Sequence, residues 1–275
     1  MPFFNTYTSE TGHAQRAPTS TSMTIGILSA MLEEILLLSS NIKDKQITTI
    51  GNRDYISGTL EGQNVVAAFS RWGKVAAAQT ATTLITKFEA EKIIFTGVAG
   101  AAAPELEIGD VVIGKMLLQH DMDASAIPAF KKFEIPLLGI THFTADPDLA
   151  RLALESAREY LAAIRSQSIS HSALDEYNIH SPTAYHGTIA SGDLFIADSK
   201  KIASLRNEIE GLLCIEMEGA AVAQVCHEHH IPFVVIRAIS DKADSNAMHD
   251  FPNFVKNIVS HYSEGIVRGM LKNIS

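Results

Sequence analysis

The run Ile231-Pro-Phe-Val-Val-Ile236 gives way at once to Arg237, Ser240 and Asp241, and this change constrains the fold more than any other feature of the chain. A short apolar run without alternation, rich in β-branched residues, reads as a strand buried on both faces. Such strands belong to parallel sheets covered by helices. Ligands in those sheets sit beyond the carboxyl ends of the strands, so Arg237 and Asp241 stand where chemistry is done. A strand followed by an ordinary hydrophilic loop would give the same pattern.

Two further segments repeat it. Thr24-Ile-Gly-Ile-Leu28 is an apolar strand that runs into a helix whose first turn carries Glu33 and Glu34, a placement that the helix dipole alone would favour. Leu212-Leu-Cys-Ile-Glu216-Met217-Glu218 is another strand that stops at acids and enters a helix of small residues. Alternation places Glu216 and Glu218 on one side and Met217 on the other if the strand persists that far. Three such strands imply one shared acidic pocket.

The chain has 275 residues, 46% of them hydrophobic, which fits one large α/β domain with ample core. Its net charge of −9, from 31 acids against 22 bases, argues against nucleic acid or an anionic membrane as partner and favours a small molecule. Cys214 and Cys226 fall inside an expected strand and an expected helix. They read as buried free thiols in a reducing compartment, so a cytoplasmic location is expected. Residues 1–22 are polar and lack the apolar core of a secretory signal; they are expected to be a disordered tail before a single domain over 23–275. No apolar run approaches the ~18 residues of a membrane span.

Between these landmarks, Gln46–Ile50, Asp54–Leu60 and Asn64–Phe69 read as antiparallel strands joined by tight turns. Lys74–Phe88 has helical spacing, and Lys92–Thr96 reads as a strand followed by a glycine-rich loop, Gly97–Gly100. Ile108–Gln119 is a further strand with a polar exit at His120, Asp121 and Asp123. Asp146 and Pro147 open a helix that continues to about Arg165. Ser166–Pro182 looks like a polar surface excursion, Tyr185–Ser191 a strand, Ser199–Asn207 a short helix and Phe251–Leu271 a closing amphipathic helix. The alternation gives a three-layer α/β/α sandwich around a central mixed β-sheet.

Six motifs in order, Ile25-Gly-Ile-Leu-Ser-Ala-Met31-x-Glu-Glu34, Gly73-Lys74-Val-Ala-Ala, Thr96-Gly-Val-Ala-Gly100, Ser191-Gly-Asp193-x-Phe195-Ile196, Glu216-Met-Glu218 and Arg237-Ala-Ile-Ser-Asp241, carry a resemblance. From about Met23 onward the chain resembles the methylthioadenosine/S-adenosylhomocysteine nucleosidases of the nucleoside phosphorylase superfamily. The resemblance implies a nucleoside phosphorylase-like fold and hydrolysis of the N-glycosidic bond of 5′-substituted adenosines, with neither metal nor organic cofactor. It makes Asp241 the general acid to adenine N7, Glu34 the base that activates water, and Arg237 a support for that water or carboxylate. Glu218 would hold the ribose hydroxyl, Met217 pack on the sugar, Phe195 stack on adenine and the Ile196 backbone read its edge. Glu216, Ser240, Val98, Trp72, Met31 and Phe251 complete the expected substrate contacts, and Ile127 is expected from the partner subunit of a homodimer.

Trp72 stands where the family usually carries a small aliphatic residue and Ile127 where an aromatic one is often found; Val98 replaces a serine of some relatives. These departures leave the 5′ substituent open among methylthioadenosine, S-adenosylhomocysteine, 5′-deoxyadenosine and aminodeoxyfutalosine. Arg71, beside the Gly73-Lys74 turn, is read as solvated or at the ribose edge, with a phosphate contact as the competing role. A phosphate-dependent phosphorylase and a non-catalytic nucleoside sensor therefore remain as alternatives. The run Cys226-His227-Glu228-His229-His230 lacks the ligand spacing of a closed zinc site and reads as a solvated helix end.

Overall fold

A computed structural model describes residues 23–242 and 254–274. The expected tail over 1–22, and Phe251, lie outside these. In chain order the strands are β1 (Thr24–Ser29), β2 (Lys43–Ile50), β3 (Arg53–Leu60), β4 (Gln63–Phe69), β5 (Lys92–Ala101), β6 (Val111–Gln119), β7 (Phe143–Thr144), β8 (Ala184–Ser191), β9 (Leu212–Glu216) and β10 (Phe233–Asp241). The helices are α1 (Leu32–Ser40), α2 (Lys74–Lys87), α3 (Pro147–Ala162), α4 (His171–Glu176), α5 (Ser199–Glu208), α6 (Gly219–Glu228) and α7 (Ser260–Asn273).

The apolar runs behave as doubly buried parallel strands. β1 pairs in parallel with β4 and β5, and β10 in parallel with β5. Side-chain alternation then feeds two cores. Ile25, Ile27, Ile94, Val234 and Ile236 face the layer of α1, α3, α4 and α7, packing with Leu38, Leu149, Leu174 and Ile266. Leu28, Ile93, Phe95, Phe233 and Val235 face α2 and α6, packing with Leu84 and Val222. A smaller core lies under α5, where Ile202 and Leu205 meet Leu118 and Ile215. The β2–β3–β4 meander is antiparallel, as its turn residues imply, and β2 forms an exposed edge.

One topological feature has no counterpart in the sequence reading. β10 hydrogen-bonds to β5 on one side and, antiparallel, to β6 on the other. Because β6 pairs with β8, β8 with β9 and β9 with β5, five strands close into a ring from which β1, β4, β3 and β2 extend. The ring brings the ends of β5, β9 and β10 to one place.

Several boundaries differ from expectation. Gly97–Gly100 is not a loop but the second half of β5, because β10 and β9 both continue to pair with it. The β6 strand begins at Val111 rather than Ile108, since the Asp110 carboxylate accepts from the amides of Glu107 (2.8 Å) and Thr183 (2.7 Å) and holds a turn there. α3 ends at Ala162, and the chain to Ser166 is a 3-10 turn. The segment Ser166–Pro182 is not a bare excursion. It contains α4 and buries Ile169, Leu174, Tyr177 and Ile179, with Tyr177 set edge-on against Phe254. A π-helical turn over Val255–Val259 precedes α7.

Asp146 is the N-cap expected for α3: its carboxylate accepts from Asp148 N at 3.1 Å and Leu149 N at 2.9 Å, with Pro147 at the first helical position. Asp146→Ala is expected to cost about 1 kcal/mol and to lower the thermal midpoint by roughly 2–4 °C in a circular dichroism scan, with α3 retained.

Candidate active site

An open cavity lies where β1, β5, β9 and β10 end. Met31, Glu34, Trp72, Val98, Phe195, Ile196, Glu216, Met217, Glu218, Arg237, Ser240 and Asp241, all expected in the site, line it. Ile127 does not line the cavity of its own chain and is 55% exposed.

Glu34 is 1% exposed. β1 stops at Ser29, and the turn into α1 points two amides back at the carboxylate: Ala30 N and Met31 N donate to Oε2 at 2.9 and 2.8 Å. Val98 N donates to Oε1 at 3.2 Å. The carboxylate that caps α1 therefore also borders the cavity. Burial pushes the carboxyl up to about 7, outweighing the nearby Arg237 charge and the three amides that favour its ionised form. A carboxylate titrating there is suited to accept a proton at neutral pH.

Arg237 is 1% exposed, and its Nη2 donates to Glu216 Oε2 at 2.7 Å. Its guanidinium carbon lies 4.0 Å from the centroid of the Phe95 ring. Arg237 was expected beside Glu34, and it is near: a Cβ added at Gly97 would sit 3.0 Å from Glu34 Oε1 and 3.2 Å from Arg237 Nη1. Glycine suits position 97 because both groups crowd the space that a side chain there would fill.

Glu216 was expected among the substrate contacts. It borders the cavity, but both of its oxygens are taken by protein donors: Arg237, the Ser191 hydroxyl, Glu218 N at 3.0 Å, and Gly219 N at 3.0 and 2.8 Å. It anchors Arg237 and the start of α6 and has no lone pair aimed at a ligand. Glu218, in contrast, accepts only from Gly73 N among the hydrogen bonds described, at 2.8 Å through Oε1. Burial raises its pKa, and the neighbouring Glu216 raises it further. Ser191 Oγ also accepts from Ala220 N at 2.7 Å, so this hydroxyl ties β8 to the start of α6.

At the end of β10 the pairing with β5 slips: Ile239 faces Ala99 and Asp241 faces Gly100, with Ser240 as the extra residue. Such a bulge re-aims side chains, and both Ser240 and Asp241 border the cavity. Ser240 Oγ donates to Asp241 Oδ2 at 2.8 Å, which orients the carboxyl. Phe195 and Ile196 arrive on the loop between β8 and α5, and Phe195 stays 40% exposed. Arg71 does not border the cavity; its Nη2 donates to Asn52 O at 2.8 Å. The histidines after Cys226 are exposed at the end of α6, with His227 tilted against Phe143 at 5.5 Å. Among the described residues no group of His, Cys, Asp and Glu is placed to hold a metal ion.

The architecture and the site have relatives. The family model of the phosphorylase superfamily matches residues 24–272. A 5′-methylthioadenosine/S-adenosylhomocysteine nucleosidase of Anoxybacillus flavithermus is 37% identical over 242 residues, 88% of this chain and 95% of that protein. The solved structure of the Neisseria meningitidis nucleosidase of the same name, in complex with methylthio-immucillin-A, matches with a TM-score of 0.80 at 31% identity, covering 91% of this chain and 99% of that one. Futalosine hydrolase of Helicobacter pylori matches with a TM-score of 0.77 at 30% identity, over 92% of this chain and 99% of that one.

The raised pKa of Glu34 carries a stability consequence. Below the unfolded value of 4.5 the group is protonated in both states and costs nothing; as pH rises through the folded value of about 7 the full cost of burying its charge appears. Glu34→Gln removes that titration. Its stability relative to the parent is expected to rise by up to about 3 kcal/mol between pH 4.5 and pH 8, read from denaturant midpoints at the two pH values. A constant difference would show that the carboxyl titrates normally.

Proposed function

Because the chain belongs to the phosphorylase superfamily and, within it, to the 5′-methylthioadenosine/S-adenosylhomocysteine nucleosidases, we propose that its cavity hydrolyses the N-glycosidic bond of 5′-thio-substituted adenosines to adenine and the 5′-substituted ribose. The observation that carries this reading is Glu34: a buried carboxylate, pinned by three amides, titrating near 7, in the same cavity as Asp241.

As the bond between the sugar C1′ and adenine N9 breaks, its electron pair moves into the purine. Asp241 gives a proton to N7, so the base leaves neutral rather than as an anion. Water adds to C1′ and Glu34 accepts its proton. The oxocarbenium charge that builds on the sugar is met by Glu218, which also takes a hydrogen bond from a ribose hydroxyl. Phe195 supplies a flat apolar face for adenine.

Electrostatics favour water over phosphate as the nucleophile. Among the described residues bordering the cavity Arg237 is the one permanent cation, and Glu216 already neutralises it. A phosphate anion would meet Glu34 and Glu218 with no free countercharge. Arg71, the competing phosphate ligand, is engaged outside the cavity.

The 5′ end is less constrained. The likeness to a futalosine hydrolase and the half-exposed Trp72 at the rim keep larger 5′ substituents within this reading. The same reading makes the chain a cytoplasmic homodimer with residues 23–275 as one catalytic unit. The exposed Ile127, set apart from its own cavity, supports a role in closing the neighbour's.

Incubation with methylthioadenosine in phosphate-free buffer is expected to yield adenine and methylthioribose, with one oxygen from labelled water at C1′ by mass spectrometry. Turnover only with phosphate, yielding the sugar 1-phosphate, would sink the assignment of Glu34. Asp241→Asn is expected to lower kcat/KM by about 10²–10⁴-fold. In the parent, kcat/KM should fall as pH drops through about 7 because Glu34 takes up a proton, and Glu34→Gln should lose both that limb and most of the rate.

A further inference from the structure

The loop between β8 and α5 that carries Phe195 and Ile196 has no regular structure of its own, so something else must fix it against the cavity. Two groups outside the cavity do so. Asp193 N donates to Asp121 Oδ2 at 2.9 Å, and Asp193 Oδ1 accepts from Lys74 N at 2.8 Å. The other Asp121 oxygen takes the Lys74 ammonium at 2.6 Å, and the same ammonium donates to Gln119 Oε1 at 3.1 Å. Three separate pieces of chain, the exit of β6, the first residue of α2 and the loop, thus meet at one ion pair.

The neighbouring amide connects this latch to the sugar side. Gly73 N donates to Glu218 while the next amide, Lys74 N, donates to Asp193. Gly73 has φ of 91°, and a Cβ there would lie 3.1 Å from Asp193 Oδ1, so glycine suits both the turn and the contact. The two consecutive amides therefore set the spacing between the sugar carboxylate and the base-stacking loop. The Lys74 side chain is 16% exposed and that of Asp121 32%. Burial pushes the Asp121 carboxyl up, but the hydrogen bonds from Lys74 and the Asp193 amide outweigh it and hold its pKa below the usual range.

We propose that Asp121 and Lys74 are positioning residues that latch the Phe195 loop at a fixed distance from Glu218, and so set affinity for the adenine base. This rests on the reading of Phe195 as the adenine platform. The platform touches the base in the ground state and the transition state alike, so loosening it removes uniform binding: KM rises while kcat holds.

The variants are Asp121→Asn, Asp121→Ala, Lys74→Met, Lys74→Arg and the double Asp121→Ala/Lys74→Met, each compared with the parent for adenine affinity by calorimetry, for KM and kcat on methylthioadenosine, and for amide hydrogen exchange over residues 192–198. Asp121→Ala and Lys74→Met are each expected to weaken adenine binding and raise KM by about tenfold, with kcat within about threefold. The double variant should be little worse than either single one, because both break the same contact. Lys74→Arg should restore most of the affinity. Exchange over 192–198 should quicken in Asp121→Ala, and this readout needs no substrate. Asp121→Asn keeps the shape and an acceptor for Asp193 N, and its intermediate effect guards against loss of fold in the alanine variant. Unchanged adenine affinity and exchange, or a fall in kcat at constant KM, would overturn the latch. A parent protein that binds no adenine and cleaves no methylthioadenosine, yet shows the exchange change, would overturn the functional reading instead and leave the latch as a purely conformational contact.

Discussion

The site is organised around one guanidinium taken out of water. Arg237 is 1% exposed, paired with Glu216 and laid on the face of Phe95. A buried cation is tolerated only with a countercharge and good hydrogen bonds, and losing the partner of such a pair typically costs about 3–5 kcal/mol. Glu216 supplies that countercharge and spends its remaining lone pairs on the first amides of α6, so the pair fixes the middle of β10 to the beginning of α6. With Glu216 satisfied, Glu34 and Glu218 share what remains of the Arg237 field. One positive charge cannot fully stabilise three buried carboxylates, and both free ones are raised in pKa. The arrangement thus yields carboxyls that exchange protons near neutrality.

The fold makes this crowding possible by closing five strands into a ring. In an open sheet the ends of β9 and β10 would diverge on either side of β5; here β5 pairs with both over its last residues. Gly97 leaves room for Glu34 and Arg237 together beside the β5 backbone, and the bulge at Ser240 re-aims the end of β10 at the cavity. Asp241 comes from the end of β10 and Glu34 from the first turn of α1, and both border the one cavity.

Much of this was legible in the sequence, and the reasons differ by element. The apolar runs at Ile25 and Val234 announced doubly buried strands because burial on both faces leaves no alternation to misread. The helix start at Asp146-Pro147 carried its own capping chemistry. Glu218, Arg237 and Asp241 were visible as polar residues closing apolar strands, and Glu34 as an acid in the first turn of the helix after one. What escaped depends on pairing at a distance. Gly97–Gly100 looks like a loop locally, since glycines weaken a strand, and only the two neighbours β9 and β10 hold it extended. Ser166–Pro182 reads as polar, yet Ile169, Leu174, Tyr177 and Ile179 recur among the polar residues closely enough to bury one side of the segment. The role of Glu216 could not be separated from that of Glu218, because their difference lies in donors contributed by Ser191 and Arg237 from other strands.

The charge balance also limits which nucleophile the cavity can use. A neutral water molecule enters without electrostatic cost, and in the proposed reaction it is Glu34, its pKa raised to about 7, that takes its proton. An anionic nucleophile would have to displace Glu216 from Arg237, leaving a buried carboxylate held only by a hydroxyl and amides. It would also have to approach Glu34 in its charged form. Both penalties arise from the same buried pair that positions α6. Hydrolytic chemistry and the stability of the strand ends are therefore two consequences of where Arg237 is neutralised.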